Sequence, residues 1–455
     1  MDQRPLHATV VALCTTIAFA STALAAEPMP KKPAPPTGGT PADGKAKTGT
    51  DADGDDSDEG LHVVVSPGAR TLDPIAIPDA RCTKAASQVC RQVTEVLRRD
   101  MLLSFFFKIL PPRSYLADTK AEPLETPYWG DWNNIGAQYL IKAHITGPAP
   151  YTVEFRLFNV PQKKMFVVDG QSGAGVKPRQ LRRATHRFAN GVLKTITGTA
   201  GVFDTRIAYA ARVRPGVKSI GIVDMDGANR GGLVANGSIN MLPSWGLGGV
   251  LYTSFKSGKP DIYFGRRRLT RDDGHYRKIS VSKSGSLVVS ASYGGQSDLW
   301  SISKDGRRLK NLTNTAADEV SPTFSPDGSK VAFVSSAAGS PQIYMMGASG
   351  GSQKRLTHAG SYNYAPDWGP KGLIAFTGMD AGVSDIFTVD EGGAIKRLTQ
   401  NQGNNKYPSW SRDGRYIAFT STRKGRSGLW IMSADGRYQL KVIPGGGISN
   451  VAWQR

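Results

Sequence analysis

Ser321 to Thr357, SPTFSPDGSKVAFVSSAAGSPQIYMMGASGGSQKRLT, is one copy of a unit that recurs through the C-terminal half of the chain. Each copy has a short turn, an alternating apolar run, a second such run and a closing segment that often ends in Leu-Thr. The turn reads SWGLGG (244–249), SVSKSG (280–285), TFSPDG (323–328), DWGPKG (367–372) and SWSRDG (409–414). The run after it occurs six times, as IAYAAR, VLYTSF, LVVSAS, VAFVSS, IAFTGM and IAFTST. Pro243, Ile279, Pro322, Pro366, Pro408 and Val451 hold one equivalent place, at spacings of 36, 43, 44, 42 and 43 residues. A period near 40 with several short strands per copy predicts a β-propeller, and six runs predict six blades.

The ends of the array are complementary. The first copy begins at its apolar run, Ile207, without the short strand that precedes the run elsewhere, and the last copy stops after that strand, at Val451-Ala452-Trp453. Pairing the last strand into the first blade would close the ring and leave no open sheet edge there.

Outward from the array, the chain of 455 residues divides into four stretches. Residues 1–25 read as a signal peptide: Arg4, an apolar run from Ala8 to Ala20, and Ala23 and Ala25 placed for cleavage after Ala25. Residues 26–60 read as a linker rich in Pro and Gly, ending in the acidic DADGDDSDEG, with too little apolar surface to fold alone. Residues 61–201 alternate strand and helix patterns and predict an α/β domain. Its strands are LHVVV, PIAIP, FFKIL and YLIKAHITG, with a hairpin from Tyr151. One helix carries Val89, Val93, Val96, Leu97 and Met101, and another carries Leu181, Phe188, Val192 and Ile196. Residues 202–455 form the propeller. Cys82 and Cys90 would stand about 12 Å apart on a continuous helix, too far to bridge. With Cys82 in the turn ahead of the helix a disulfide becomes feasible, and two free thiols are the alternative.

The formal net charge is +20. Its Lys and Arg residues are scattered through turns and no nucleic-acid-binding motif accompanies them, so an acidic partner or an anionic envelope surface fits better than nucleic acid. No reaction is legible. Gly347-Ala348-Ser349-Gly350-Gly351 matches the nucleophile-elbow pattern but stands where sister copies have SKDGRR, DEGGAI and SADGRY, which makes it a blade turn. The Asp-Gly pairs are turn chemistry. The six histidines are dispersed, so neither a metal nor a cofactor is expected, and His186 reads as helix packing. Trp245, Phe324, Trp368, Trp410 and Trp453 recur at one place, and Trp300, Tyr344, Phe387 and Trp430 at another, as fillers between blades.

Binding is expected on the rim, where the loops ahead of the innermost strands vary and converge on one channel mouth. The candidates are Asn240 and Met241 in the first loop, His275, Tyr276 and Arg277 in the second, and Asp318, Glu319 and Ser321 in the third. Tyr362, Asn363 and Tyr364 follow in the fourth, Asn404, Asn405, Lys406 and Tyr407 in the fifth, and Ser449 and Asn450 in the last.

The repeat SPTFSPDGSKVAFVSS with QIYMM and RLT, together with the join HRFANGVLKTITGTAGVFDTRIAYAAR (186–212), resembles the TolB family over Leu61 to Arg455. The resemblance implies a monomeric, non-catalytic periplasmic component of the Tol-Pal envelope system. It would bind the lipoprotein Pal at the channel mouth and communicate with a TolA-like protein through its N-terminal segment or domain. Two features depart from the family. Residues 27–60 stand between the cleavage point and the folded part, and the turn SVSKSG lacks the usual Pro-Asp. A propeller-associated serine hydrolase using Ser349, or a propeller with an unrelated partner, are the alternatives.

Overall fold

A computed structural model describes residues 63–455 apart from Pro67. The leader and the linker read from residues 1–60 lie outside the described residues. Among the described residues no helix is long and apolar enough to cross a membrane.

Six antiparallel sheets make the propeller, and the ring closes as the chain ends require. Ile448–Trp453 pairs with Arg206–Arg214 as the innermost strand of blade 1, followed outward by Val217–Asp224 and Gly231–Val234. Blade 4 shows the repeat in full: Glu319–Phe324, Lys330–Ser335, Gln342–Gly347 and Lys354–Arg355, each strand antiparallel to the one before. The fillers take the expected places. Trp368 joins Ala332 and Ile343 of blade 4 to Ile374 and Phe376 of blade 5, and Trp410 joins Ala375 and Ile386 to Ile417 and Phe419 of blade 6.

A chain of hydrogen bonds runs around the channel from blade to blade. Ser280 Oγ accepts the amide of Phe324 (3.1 Å), Thr323 Oγ1 that of Trp368 (3.2 Å), Asp367 Oδ2 that of Trp410 (2.7 Å) and Ser409 Oγ that of Trp453 (3.0 Å). Blade 1 has Ala452 at this place and no side-chain acceptor. There the Trp245 indole donates to the Ala452 carbonyl instead (2.9 Å). In four blades the polar residue after the proline place thus satisfies an amide of the neighbouring blade.

The α/β domain has a mixed seven-stranded sheet in which Phe107–Ile109, Asp73–Ala76, Tyr139–Thr146, Tyr151–Asn159 and Lys164–Phe166 lie side by side. Helices α1 (Ser87–Leu103) and α3 (Leu181–Thr197) cover one face, and the short α2 (Trp129–Asn134) covers the other. Along Tyr139–Thr146 the side chains alternate accordingly: Ile141, Ala143 and Ile145 pack toward α1 and α3, Leu140 toward Trp132 of α2. Lys142, on the α2 face, is buried against Glu122 (2.8 Å), whose Oε1 also accepts the Trp132 indole (2.8 Å). Arg81-Cys82 forms a strand ahead of α1, and Cys82 is disulfide-bonded to Cys90 across a Cα separation of 6.0 Å. Leaving the helix before its first turn is what brings the two within bridging range.

One strand pairs across the domain boundary. Leu61–Val65 read as the first strand of the α/β domain, but Val63–Val65 pairs with Tyr438–Leu440 and becomes a fifth, outermost strand of blade 6. Its apolar, β-branched composition suits a strand in either sheet, so composition could not assign the partner.

The two domains share a core. Phe105 at the end of α1 lies between Tyr416 and Tyr438 of blade 6, at ring-centroid distances of 6.0 and 5.8 Å. Tyr416 donates its hydroxyl hydrogen bond to the Ser104 carbonyl (3.3 Å), and the Trp453 indole donates to Thr205 (2.8 Å).

Candidate functional site: the channel mouth

In an up-and-down blade, the start of the first strand, the second-to-third connection and the end of the fourth strand share one end of the ring. At that end Met241, Arg277, Asp318, Ser321, Tyr362, Tyr364, Tyr407, Ser449 and Asn450 line one concave opening. Lys218, Val320, Val334, Ser336, Ala365 and Pro341 complete it. The loop reading missed Lys218, at the start of the third strand of blade 1, and Ser336 and Pro341, in the second-to-third connection of blade 4. The alternation of strand direction was the signal that could have found them. His275 joins Met241, Arg277 and Asp318 in a groove leading outward past Phe255 and Lys259.

The shape of the mouth comes from the innermost strands. Each shifts register by one residue near its centre, a β-bulge repeated in all six blades. In five of them the bulged residue has positive φ: Leu242 (51°), Ser321 (57°), Ala365 (51°), Tyr407 (56°) and Asn450 (50°). All five line the channel. A non-glycine residue in this region is strained by roughly 1–3 kcal/mol, and such strain clusters where side chains are aimed for use. In four of the blades a proline follows, or in blade 1 Val451; the proline has no amide to leave unpaired beside the bulge.

Aromatic contacts organise one side of the opening. Tyr364 stands edge-on to both Tyr362 (5.3 Å) and Tyr407 (5.9 Å). Burial raises the Tyr364 hydroxyl to about 12, and that of Tyr407 upward too, so both remain neutral phenols. Across from them Arg277 and Lys218 supply positive charge beside Asp318. Asp318 Oδ1 accepts the Ser297 amide (2.7 Å), which fixes the carboxylate at the rim.

Five of the predicted rim residues are corrected to interior roles. Asn240, Tyr276, Glu319, Asn363 and Asn405 hold one equivalent position, three residues before the proline place, and all are buried with their polar groups engaged. Asn240 donates to the Lys218 carbonyl (2.8 Å) and accepts from Ser254 (2.7 Å). The Tyr276 hydroxyl donates to Asp272 (2.8 Å). Glu319 accepts from Thr315 (2.8 Å) and Ser335 (3.0 Å), and Asn363 donates to Gln342 (2.8 Å). Asn405 donates to Asp385 (3.1 Å) and accepts from Arg423 (2.9 Å). Tyr276 and Glu319 thereby hold the connecting segments ahead of their own strands, while Asn240, Asn363 and Asn405 staple their blades to the preceding one. Asn404 does likewise, accepting the Ser384 amide (3.0 Å), and Lys406 is not among the residues lining the opening.

Deeper in the channel three charges break the repeat. Lys278 occupies the bulge position, reaching the Pro243 carbonyl (3.1 Å), and Asp367 stands where sister blades have Ser, Thr or Ala. Asp367 pairs with Arg455 (2.5 Å). Burial lowers the Lys278 ammonium to about 8; Asp367 works against that shift and Arg455 with it. Lys278 is half-buried in the channel lining, and there desolvation outweighs the pull of Asp367. Ser349 lies in a tight turn in which the Gly350 amide donates to the Gly347 carbonyl (3.0 Å), between two strands and not ahead of a helix.

Comparison with known proteins settles the lineage. A family profile described as the TolB beta propeller domain matches residues 193–454, and one described as the TolB amino-terminal domain matches residues 61–166. A curated relative, "Protein TolB homolog" of Chlorobium luteolum, is 30% identical over 369 residues, covering 79% of this chain and 84% of its own. The chain belongs to the TolB family. "Tol-Pal system protein TolB" of Anaeromyxobacter dehalogenans is 39% identical over 273 residues, 58% of this chain. That match spans 62% of the relative's length. The crystal structure of TolB from Acinetobacter baumannii superposes with a TM-score of 0.73 at 23% identity, over 87% of this chain and 99% of that one, a likeness of fold.

Proposed function

We propose that this TolB-family chain is a periplasmic, non-catalytic interaction scaffold of the Tol-Pal envelope system, and that its channel mouth binds a Pal-like lipoprotein. The observation that carries the reading is the mouth itself. Side chains from all six blades converge there, with exposed tyrosine edges, arginine and lysine beside one fixed carboxylate, the chemistry of protein recognition. A relative named as a Tol-Pal system protein supports a partner within that system. The α/β domain is taken as residues 61–201, its first strand, Val63–Val65, paired to the edge of blade 6. A TolA-like protein is the second partner, reached through the N-terminal segment, whose first described strand lies on blade 6.

Isothermal titration of the Pal protein from the same cell into the full chain and into a chain lacking residues 26–60 tests this. Saturable binding lost on Arg277→Glu supports the mouth as the site. Absence of binding to the full chain removes the Pal assignment, and unchanged affinity without residues 26–60 removes any coupling from that segment.

A further inference from the structure

A second charged cluster lies far from the mouth, where α1 and α3 meet the turn after Val217–Asp224 of blade 1. We propose that Asp100, His186, Arg182 and Asp226 form a proton-controlled latch between the α/β domain and the propeller, fastened while His186 carries its proton and loosened when the proton leaves. This goes beyond the scaffold reading and stands whether or not the mouth binds a lipoprotein.

The geometry is a relay across three elements. His186 Nδ1 on α3 is 2.7 Å from Asp100 Oδ2 on α1. Arg182, one turn before His186, donates to Asp226 Oδ2 of the blade 1 turn. Its guanidinium stands 3.5 Å from Nε2, where its charge opposes protonation of His186 less strongly than Asp100 favours it. Arg99 of α1 donates to the Asp226 carbonyl. Asp100, His186 and Asp226 are 0%, 4% and 2% exposed. The turn they grip is tightly fitted. Gly227 has φ +85°, and a Cβ there would come within 2.9 Å of the Val442 carbonyl in blade 6. The network therefore touches both blades on which the α/β domain rests.

The same three side chains could be read as metal ligands, since their donor atoms lie within 4.8 Å of one another. The charges argue for a proton instead. Asp224 also approaches Arg182, at 4.0 Å, so three carboxylates face two guanidinium groups and one imidazole. The sum is zero with His186 protonated and −1 without it, and a dication would leave it positive beside two arginines. From blade 6 the nearest titratable group is the Tyr416 hydroxyl, with Asp413 and Arg415 behind it. Asp100 Oδ1 is buried without a hydrogen-bond partner among the described residues, so the carboxylate depends on His186. A buried carboxylate facing only a neutral imidazole is costly.

Proton linkage has one sign for both groups. Burial alone would lower the His186 value, but the charge and hydrogen bond of Asp100 outweigh it and raise it. Its contribution is present in full below the ordinary 6.5 and is lost as pH rises through the raised value. Burial raises Asp100 to about 6 against the pull of His186, so the cost of its charge is relieved as pH falls below about 6. Mild acid fastens the latch and alkali loosens it.

The test uses the full chain. Hydrogen exchange, corrected for the intrinsic pH dependence of amide chemistry, is followed in α3 and in residues 224–230 from pH 6 to 9. Protection should fall as pH rises in the wild type and stay level in His186→Gln. Level protection in the wild type, or parallel decline in both proteins, overturns the latch. Because the variant can misfold, the imidazole is also titrated by NMR in the unaltered chain. A midpoint above 6.5 supports the proposal, and one at or below 6.5 overturns it.

Discussion

The two ends of the propeller are made by the same repeat and have opposite characters. At the mouth, Leu242, Ser321, Ala365, Tyr407 and Asn450 bulge into the channel in a strained conformation, and Arg277 and Tyr362 reach solvent. At the other end, Tyr416, Tyr438 and Trp453 are buried with Phe105, Ser104 and Thr205 beneath the α/β domain. The first end holds strain and exposed polarity and is suited to a partner that comes and goes. The second spends its aromatic residues on a permanent contact. The repeat therefore defines a ring, and departures from it mark what each end does.

The largest effect is expected at the closed end. Trp453→Ala removes a fully buried indole, its hydrogen bond to Thr205 and the last filler of the ring. Urea denaturation should show a loss of about 3–5 kcal/mol. A loss below ~1 kcal/mol would mean that the C-terminal strand is not what holds the ring shut.

The next two substitutions separate rim residues that face out from those that face in. Asn405→Ala strips a partner from the buried Asp385 and Arg423 and should cost about 1–3 kcal/mol of stability. It should leave the affinity of the folded protein for its partner unchanged. Tyr362→Ala, at 40% exposure, should change stability by no more than ~0.5 kcal/mol and weaken partner binding about tenfold. If the two variants behave alike, the division of the rim into staples and contacts is wrong.

That division also shows how much was legible. The blade count, the ring closure and the inter-blade aromatics follow from period and alternation, which depend on backbone geometry that every copy shares. The mouth was legible as a place, because variable loops before the innermost strands converge there. Its residues were legible only in part. In a strand neighbouring side chains point to opposite faces, so Asn405 and Tyr407, two apart, should have shared a face. The bulge at Tyr407 itself changes that parity, and no residue type announces it. The pairing partner of Val63–Val65 was not legible for a related reason: strand composition states that a segment pairs, not with which sheet. The latch was invisible because Asp100, His186 and Asp226 are brought together only by packing of two domains.

The smallest effect concerns the one lysine at a bulge position. With its ammonium held near 8 against an ordinary 10.5, Lys278 binds its proton less tightly folded than unfolded. Below pH 8 both states are charged and the cost of burial is present in full. Between 8 and 10.5 the folded chain sheds that cost while the unfolded chain stays protonated, so this residue's contribution makes stability rise with pH. The direction is opposite to that of His186, which gives the two ends of the molecule distinguishable signatures. Lys278→Met removes the titration and keeps the side-chain length, so at pH 7 its stability should match or slightly exceed the wild type. The difference between the proteins, followed by urea denaturation, should narrow or reverse in favour of the wild type as pH passes from 8 to 10. Curves that remain parallel would place the ammonium in bulk-like water and make the channel a wetter passage than its lining indicates.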